Sequence, residues 1–196
     1  MLSQNKSYNS ALELGARNGD ISMMFSDLNY STIYCTDINE IKKNKFVDSN
    51  YKNINYKNID VLNINFPNAS FDVIGCKSLL GGVAKNDPSK IHVAIQEIYR
   101  VLKKNGSFIF AENIQGSIMH KMIRKYFQSS GWHYPNLNDF INTLDNFSNI
   151  RYFTTGFFTI LSRKENIKSK IFIIDNLIKK MVPDKSKYII YGIAEK

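Results

Sequence analysis

Short apolar runs alternate with longer amphipathic stretches along the chain, and that alternation sets the expected elements. Residues 10–14 (SALEL) read as a short buried strand. In residues 19–28 (GDISMMFSDL) the apolar positions Ile21, Met24, Phe25 and Leu28 recur at helical spacing. STIYCTD, residues 31–37, is a second strand that ends on an acid. Residues 38–50 pattern as a helix, NINYKNIDVLN carries a third strand stopping near Asp60, and FDVIGCKS (71–78) is a fourth. The clearest helix covers 89–104: Pro88 precedes it, and Ile91, Ala94, Ile95, Ile98, Val101 and Leu102 form one face. Asn105-Gly106 is its expected end, and SFIFAE is a fifth strand.

Beyond residue 113 the pattern changes. Two helices are expected at 116–127 and 137–145, around an aromatic segment. A strand in IRYFTTGFFTIL, a helix in SKIFIIDNLIKKM and a last strand in KYIIYGIAE follow. Strands separated by helices predict an α/β protein: a Rossmann-like three-layer sandwich on a seven-stranded, mostly parallel sheet with an antiparallel C-terminal strand. No repeat or linker divides residues 1–196, so one domain is expected, with 113–150 as a lid over the substrate.

Composition narrows the class only a little. The 196 residues are 43% hydrophobic and 22% charged, which is ordinary for a globular chain. The N-terminus MLSQNKSYNS lacks the apolar core of a signal peptide, and no apolar stretch is long enough to span a membrane, so a cytoplasmic location is expected. Cys35 and Cys76 sit in strand-like runs as reduced core thiols, and no histidine–cysteine spacing suggests a metal. A net charge of +9 invites an anionic partner, although the lysines look scattered along the sequence.

Acids at strand ends carry the chemistry. Open α/β sheets bind ligands beyond the carboxyl ends of their strands. Glu13 closes the first strand, Asp37 the second and Asp60 the third. A carboxylate after strand two can accept hydrogen bonds from both ribose hydroxyls, and one after strand three can accept from an adenine amine. The turn Gly15 to Gly19 (GARNG) does not match the G-x-G-x-x-G dinucleotide fingerprint, and the Gly-Lys-Ser/Thr of a phosphate-binding loop is missing. An acid on the first strand repels phosphate but suits a cationic amino-acid tail. The pattern therefore points to S-adenosylmethionine.

On these residues the chain resembles the class I S-adenosylmethionine-dependent methyltransferases, of the type 11-like methyltransferase domain. The first motif of that family, acid-x-Gly-x-Gly-x-Gly, is matched by Glu13, Gly15 and Gly19, with Arg17 at the middle glycine. The stretches PNASFDVIGCKSLL and EIYRVLKKNGSFIFAEN are similar to its fourth-strand and fifth-strand motifs. The resemblance implies cofactor contacts from Glu13, Gly15, Ala16, Arg17, Gly19, Asp37, Ile38, Asp60, Val61, Cys76 and Lys77. For Arg17 three roles stay open: a solvent-facing loop residue, a partner of the methionine carboxylate, or the mark of a degraded site.

The resemblance also frames the reaction. Methyl transfer is an in-line displacement that requires alignment and exclusion of water, helped by a base when the nucleophile is a hydroxyl. The base candidates are Glu112 and His120. Metal-dependent relatives carry an acid after strand four, where this chain has Cys76-Lys77-Ser78, so no metal is expected. The Asn/Asp-Pro-Pro-aromatic tetrad of the amino-methylating branch is absent. Loose similarity to bacterial surface-polysaccharide methyltransferases favours a small-molecule acceptor, namely a phosphorylated or saccharide hydroxyl such as that of a nucleotide-sugar. RNA or protein methylation, and a non-catalytic cofactor-binding subunit, are the alternatives.

Overall fold

The structure is a computed structural model, and it describes residues 9–39, 51–127, 131–162 and 164–196. Seven strands form one sheet: β1 (Ser10–Leu14), β2 (Thr32–Asp37), β3 (Ile54–Asn58), β4 (Phe71–Lys77), β5 (Leu102–Asn113), β6 (Ser148–Thr155) and β7 (Ile189–Glu195). Their order is β3-β2-β1-β4-β5-β7-β6. β1 to β5 pair in parallel, and β7 runs antiparallel to both β5 and β6. The mixed sheet expected from the sequence is thus present, with the last strand inserted between its neighbours. The order reverses between β1 and β4, which opens a crevice at the carboxyl ends there.

Each face of the sheet buries its own apolar set. On one face α3 (Lys90–Val101) packs Ile91, Ala94, Ile95, Ile98 and Val101 against Leu12, Ile74, Phe108 and Phe110. Phe140 of α5 (Leu137–Asn142) extends that layer, with its ring 5.4 Å from Phe110. On the other face Phe25 of α1 (Asp20–Asp27) packs with Ala11, Ile33, Cys35 and Val73. The helix expected over 38–50 lies almost wholly outside the described residues. No helix among the described residues is long and apolar enough to cross a membrane.

Several boundaries differ from the sequence pattern, each for a local reason. α3 ends at Val101 rather than Lys104, because Leu102 turns to extended backbone and begins β5. Asn105 takes a left-handed φ of 61°, and the backbone there pairs with Lys196 instead of closing a helix. The strand expected through Leu161 stops at Thr155, where Gly156 (φ 77°) bends the chain into a single 3-10 turn, Thr159–Leu161. One element has no counterpart in the sequence pattern: α2 (Leu80–Val83), a single turn directly after β4. The remaining helices, α4 (Ile118–Phe127) and α6 (Glu165–Ile178), follow the carboxyl ends of β5 and β6, so both stand on the rim that holds the crevice.

Candidate active site

The crevice is a cleft of about 430 Å³ lined by the turn after β1, the ends of β2 and β3, the turn after β4, and Trp132. Gly15, Arg17, Asp37, Ile38, Asp60 and Val61 all line it. The sequence placed these residues at three separate strand ends, and the sheet order brings them to one wall.

The loop after β1 shows why glycine is usual there. Gly15 has a φ of 65°, strained for any other residue, and a Cβ on it would lie 2.7 Å from Leu79 Cδ1 and push that side chain aside. Arg17 is also left-handed, at φ 47°, a conformation that costs a non-glycine residue about 1–2 kcal/mol. Its N–H donates to Asp37 Oδ2 at 3.2 Å, and its guanidinium carbon lies 5.9 Å from the centroid of the Trp132 ring. Arg17 is therefore exposed on the cleft wall rather than packed away from it.

Asp37 is half-buried and accepts from the Asn39 N–H at 3.0 Å through Oδ1. Asp60 is exposed, and its Oδ1 accepts from the Leu62 N–H at 2.9 Å, an Asx turn that fixes the carboxylate on the wall. Between these acids Ile38 is 64% exposed, an apolar side chain left bare at the mouth. Two carboxylates, a bare aliphatic and a glycine turn stand together on this wall.

The other sequence candidates sit elsewhere. Glu13 is buried and faces α1, accepting from Ser22 N–H at 2.7 Å, Ser22 O–H at 2.5 Å and Ile21 N–H at 3.2 Å. Burial holds its carboxyl above the ordinary range, with the Ser22 and Ile21 donors opposing. It caps the helix whose N-terminal turn includes Gly19 and does not line the cleft. Ala16 is buried beneath the loop, its N–H donating to Thr36 O at 2.8 Å. Cys76 and Lys77 line a separate apolar hollow of about 790 Å³ beside α1, over β5, β6 and β7.

Both base candidates are engaged internally. Glu112 is buried, and Oε1 accepts from Leu79 and Leu80 N–H at 2.8 and 3.2 Å and lies 3.5 Å from Cys76 Sγ. Burial pushes its carboxyl up to about 7, with those N–H groups opposing. His120 is fully buried. Its Nδ1 accepts from the Ser117 N–H at 2.9 Å, so Nε2 carries the proton and donates to Phe157 O at 2.9 Å. Burial lowers its pKa and keeps the ring neutral. Neither residue lines the cleft.

The sequence did not single out Leu79 and Lys90 as cleft residues, whereas Trp132 falls in the stretch expected as a lid. The signal for Trp132 was the pair Gly81-Gly82. A Cβ on Gly82 would press to 3.3 Å on the indole, and one on Gly81 would lie 2.7 Å from His133 O. Small residues there let segment 131–134 lie down on α2.

The sheet order, with a cleft at the carboxyl ends of its parallel strands, is that of a class I methyltransferase fold. A profile of the family described as methyltransferase domain matches residues 12–110, half of the chain. The chain belongs to that family, and S-adenosylmethionine is its cofactor. No curated protein matches it. Among solved structures it is similar to an S-adenosylmethionine-dependent methyltransferase from Mesorhizobium loti, at 14% identity and a TM-score of 0.66, over 100% of this chain and 94% of that one. The YcgJ protein of Bacillus subtilis is 15% identical with a TM-score of 0.62, over 98% and 91%. Phosphoethanolamine N-methyltransferase 2 of Haemonchus contortus, in complex with phosphomonomethylethanolamine and S-adenosylhomocysteine, is 12% identical with a TM-score of 0.70, over 97% and 49%. These likenesses speak to the fold.

Proposed function

We propose that the protein transfers a methyl group, without a metal, to a small phosphorylated or saccharide acceptor, with a sugar or nucleotide-sugar hydroxyl as the first class to test. The observation that carries this reading is the convergence of Asp37, Asp60, Gly15 and Arg17 on one cleft that Trp132 and Lys90 also line. Bound S-adenosylmethionine supplies an electrophilic methyl carbon on a sulfonium. Asp37 accepts from the ribose, Asp60 from the adenine amine, and Ile38 covers the ring. Arg17 and Lys90 give the mouth a positive lining suited to a phosphate on the acceptor. Segment 113–150 acts as the lid through Trp132, which excludes water while the nucleophile, carbon and sulfur are aligned.

A second reading has its own support. Because Glu112 and His120 spend their polar atoms on backbone partners, a nucleophile that needs no strong base is favoured over an alcohol. A small phosphorylated amine fits that requirement, and it is the acceptor class named for the Haemonchus contortus protein. Titration calorimetry should give micromolar binding of S-adenosylmethionine that Asp37→Ala abolishes. Release of S-adenosylhomocysteine across a panel of nucleotide-sugars, sugar phosphates and phosphorylated amines then names the acceptor. Absence of heat with the native protein would reject both readings.

A further inference from the structure

The positive charge, scattered when read along the sequence as a whole, is concentrated in two of its segments. Segments 117–127 and 162–187 hold eleven basic and three acidic residues, so they account for eight of the nine excess charges. They contain α4 and α6, the two helices on the cleft rim.

α6 is apolar on two sides. Its inner face carries Asp175, buried, which accepts from Phe157, Phe158 and Thr159 N–H at 2.9, 2.8 and 3.1 Å and so clamps the helix to the turn after β6. Ile171, Ile178 and Val182 lie half-buried along that side. A second arc, formed by Ile167, Ile173, Ile174, Leu177 and Met181, is exposed, Leu177 to 77% and Met181 to 82%. Lys170 falls within this arc, and Lys180 flanks it at helical spacing. α4 repeats the arrangement: Ile118, Met122 and Tyr126, at i, i+4 and i+8, are exposed beside Lys121 and Lys125. His120 ties α4 to Phe157 O, so the same turn anchors both helices, and Leu161 on that turn is itself 57% exposed.

Soluble monomers seldom expose so much aliphatic surface together. We propose that α4, α6 and Leu161 form a docking surface for an anionic phospholipid bilayer, which the protein meets from one side without crossing it. An exposed aliphatic arc interleaved with lysines is what an interfacial helix presents: the aliphatics enter the acyl boundary while lysine stems extend to the headgroups. The charge then supplies the long-range attraction to anionic lipid. A second copy of the chain is disfavoured as occupant, because two faces of the same sign would be brought together. RNA is disfavoured because Ile173, Leu177 and Met181 offer neither a hydrogen bond nor an aromatic face to a base. Docking this way brings the rim of the cleft to the membrane surface.

Co-sedimentation of the full chain with vesicles tests this. Vesicles of phosphatidylcholine mixed with phosphatidylglycerol should capture the protein, and vesicles of phosphatidylcholine alone should do so weakly. Leu177→Ser with Met181→Ser, and separately Lys170→Glu with Lys180→Glu, should each lower capture about tenfold. The melting temperature and S-adenosylmethionine affinity of both double variants should match the parent, so a loss of capture is not a loss of fold. Four results would overturn the proposal: no capture at low salt; capture unchanged in the Leu177/Met181 variant; an RNA oligonucleotide bound in preference to vesicles; or concentration-dependent dimerisation that the same variant abolishes. Because the readout is sedimentation, it is independent of the acceptor.

Discussion

Glu112, near the end of β5, accepts a hydrogen bond from the Leu79 N–H at 2.8 Å and so ties the fifth strand to the turn that follows the fourth. That turn contributes Ser78 and Leu79 to the cleft. Glu112, which resembles a general base from its position in the sequence, thereby holds the turn that lines the cleft.

Glu112 makes stability fall with rising pH. Its carboxyl is raised from 4.5 to about 7 by burial, so the folded state holds its proton more tightly than the unfolded state does. Stability is therefore lost as pH rises between those values, by about 3 kcal/mol at most. Glu13, also raised by burial, adds to the same slope. Glu112→Gln keeps an acceptor for Leu79 and Leu80 but has no proton to lose. Thermal unfolding from pH 5 to pH 8 should show a flatter decline for this variant, and an unchanged slope would rule out Glu112 as its source.

His120 acts on stability in the opposite direction. Burial lowers its pKa below 6.5, so the contribution of the neutral ring is present above that pH and lost as pH falls beneath it. His120→Ala removes both the Ser117 and Phe157 bonds and should cost about 2–3 kcal/mol, measured by urea unfolding. The pH profile of kcat in the folded variant should keep its shape. A lost acidic limb would restore His120 as the base.

The contrast between these residues shows how far the sequence could be read. β1, β2 and β4 were legible because both their faces are buried, which leaves continuous apolar runs bounded by turns. Asp37 and Asp60 were legible as a site because parallel strands deliver their carboxyl ends to one rim. Glu112 and His120 have the right residue types at the right place in the chain. Their partners, however, are backbone N–H and C=O groups up to 37 residues away, and no spacing rule reports those. The basic rim was hidden for a related reason: its two segments are separated in sequence and meet only at the turn Thr159–Leu161.

Arg17 separates backbone strain from side-chain function. Glycine adopts its φ of 47° freely, whereas alanine does not. Arg17→Gly should therefore be about 1 kcal/mol more stable than Arg17→Ala by thermal unfolding. If the guanidinium recognises an anionic group at the mouth, both variants should raise the KM of a phosphorylated acceptor, or weaken S-adenosylmethionine if the methionine carboxylate is the partner. Equal kinetics in all three proteins would assign Arg17 to the solvent.

Asp60 offers the sharpest test of orientation within the cleft. Its Oδ1 is committed to the Leu62 N–H, so recognition of an exocyclic amine falls to the remaining acceptor capacity of an exposed carboxylate. A hydrogen bond to a charged acceptor contributes about 1.5–3 kcal/mol, roughly tenfold to a hundredfold in affinity. The native protein should therefore prefer S-adenosylhomocysteine to its inosine analogue, which carries a carbonyl in place of the amine and would set an oxygen against the carboxylate. Asp60→Ala should erase most of that preference, by weakening the adenine ligand and relieving repulsion of the inosine one. Calorimetry with both ligands reads the difference directly. If Asp60→Ala weakens both by the same factor, the acid fixes the loop and does not touch the base, and the adenine must then lie elsewhere along the wall between Ile38 and Val61.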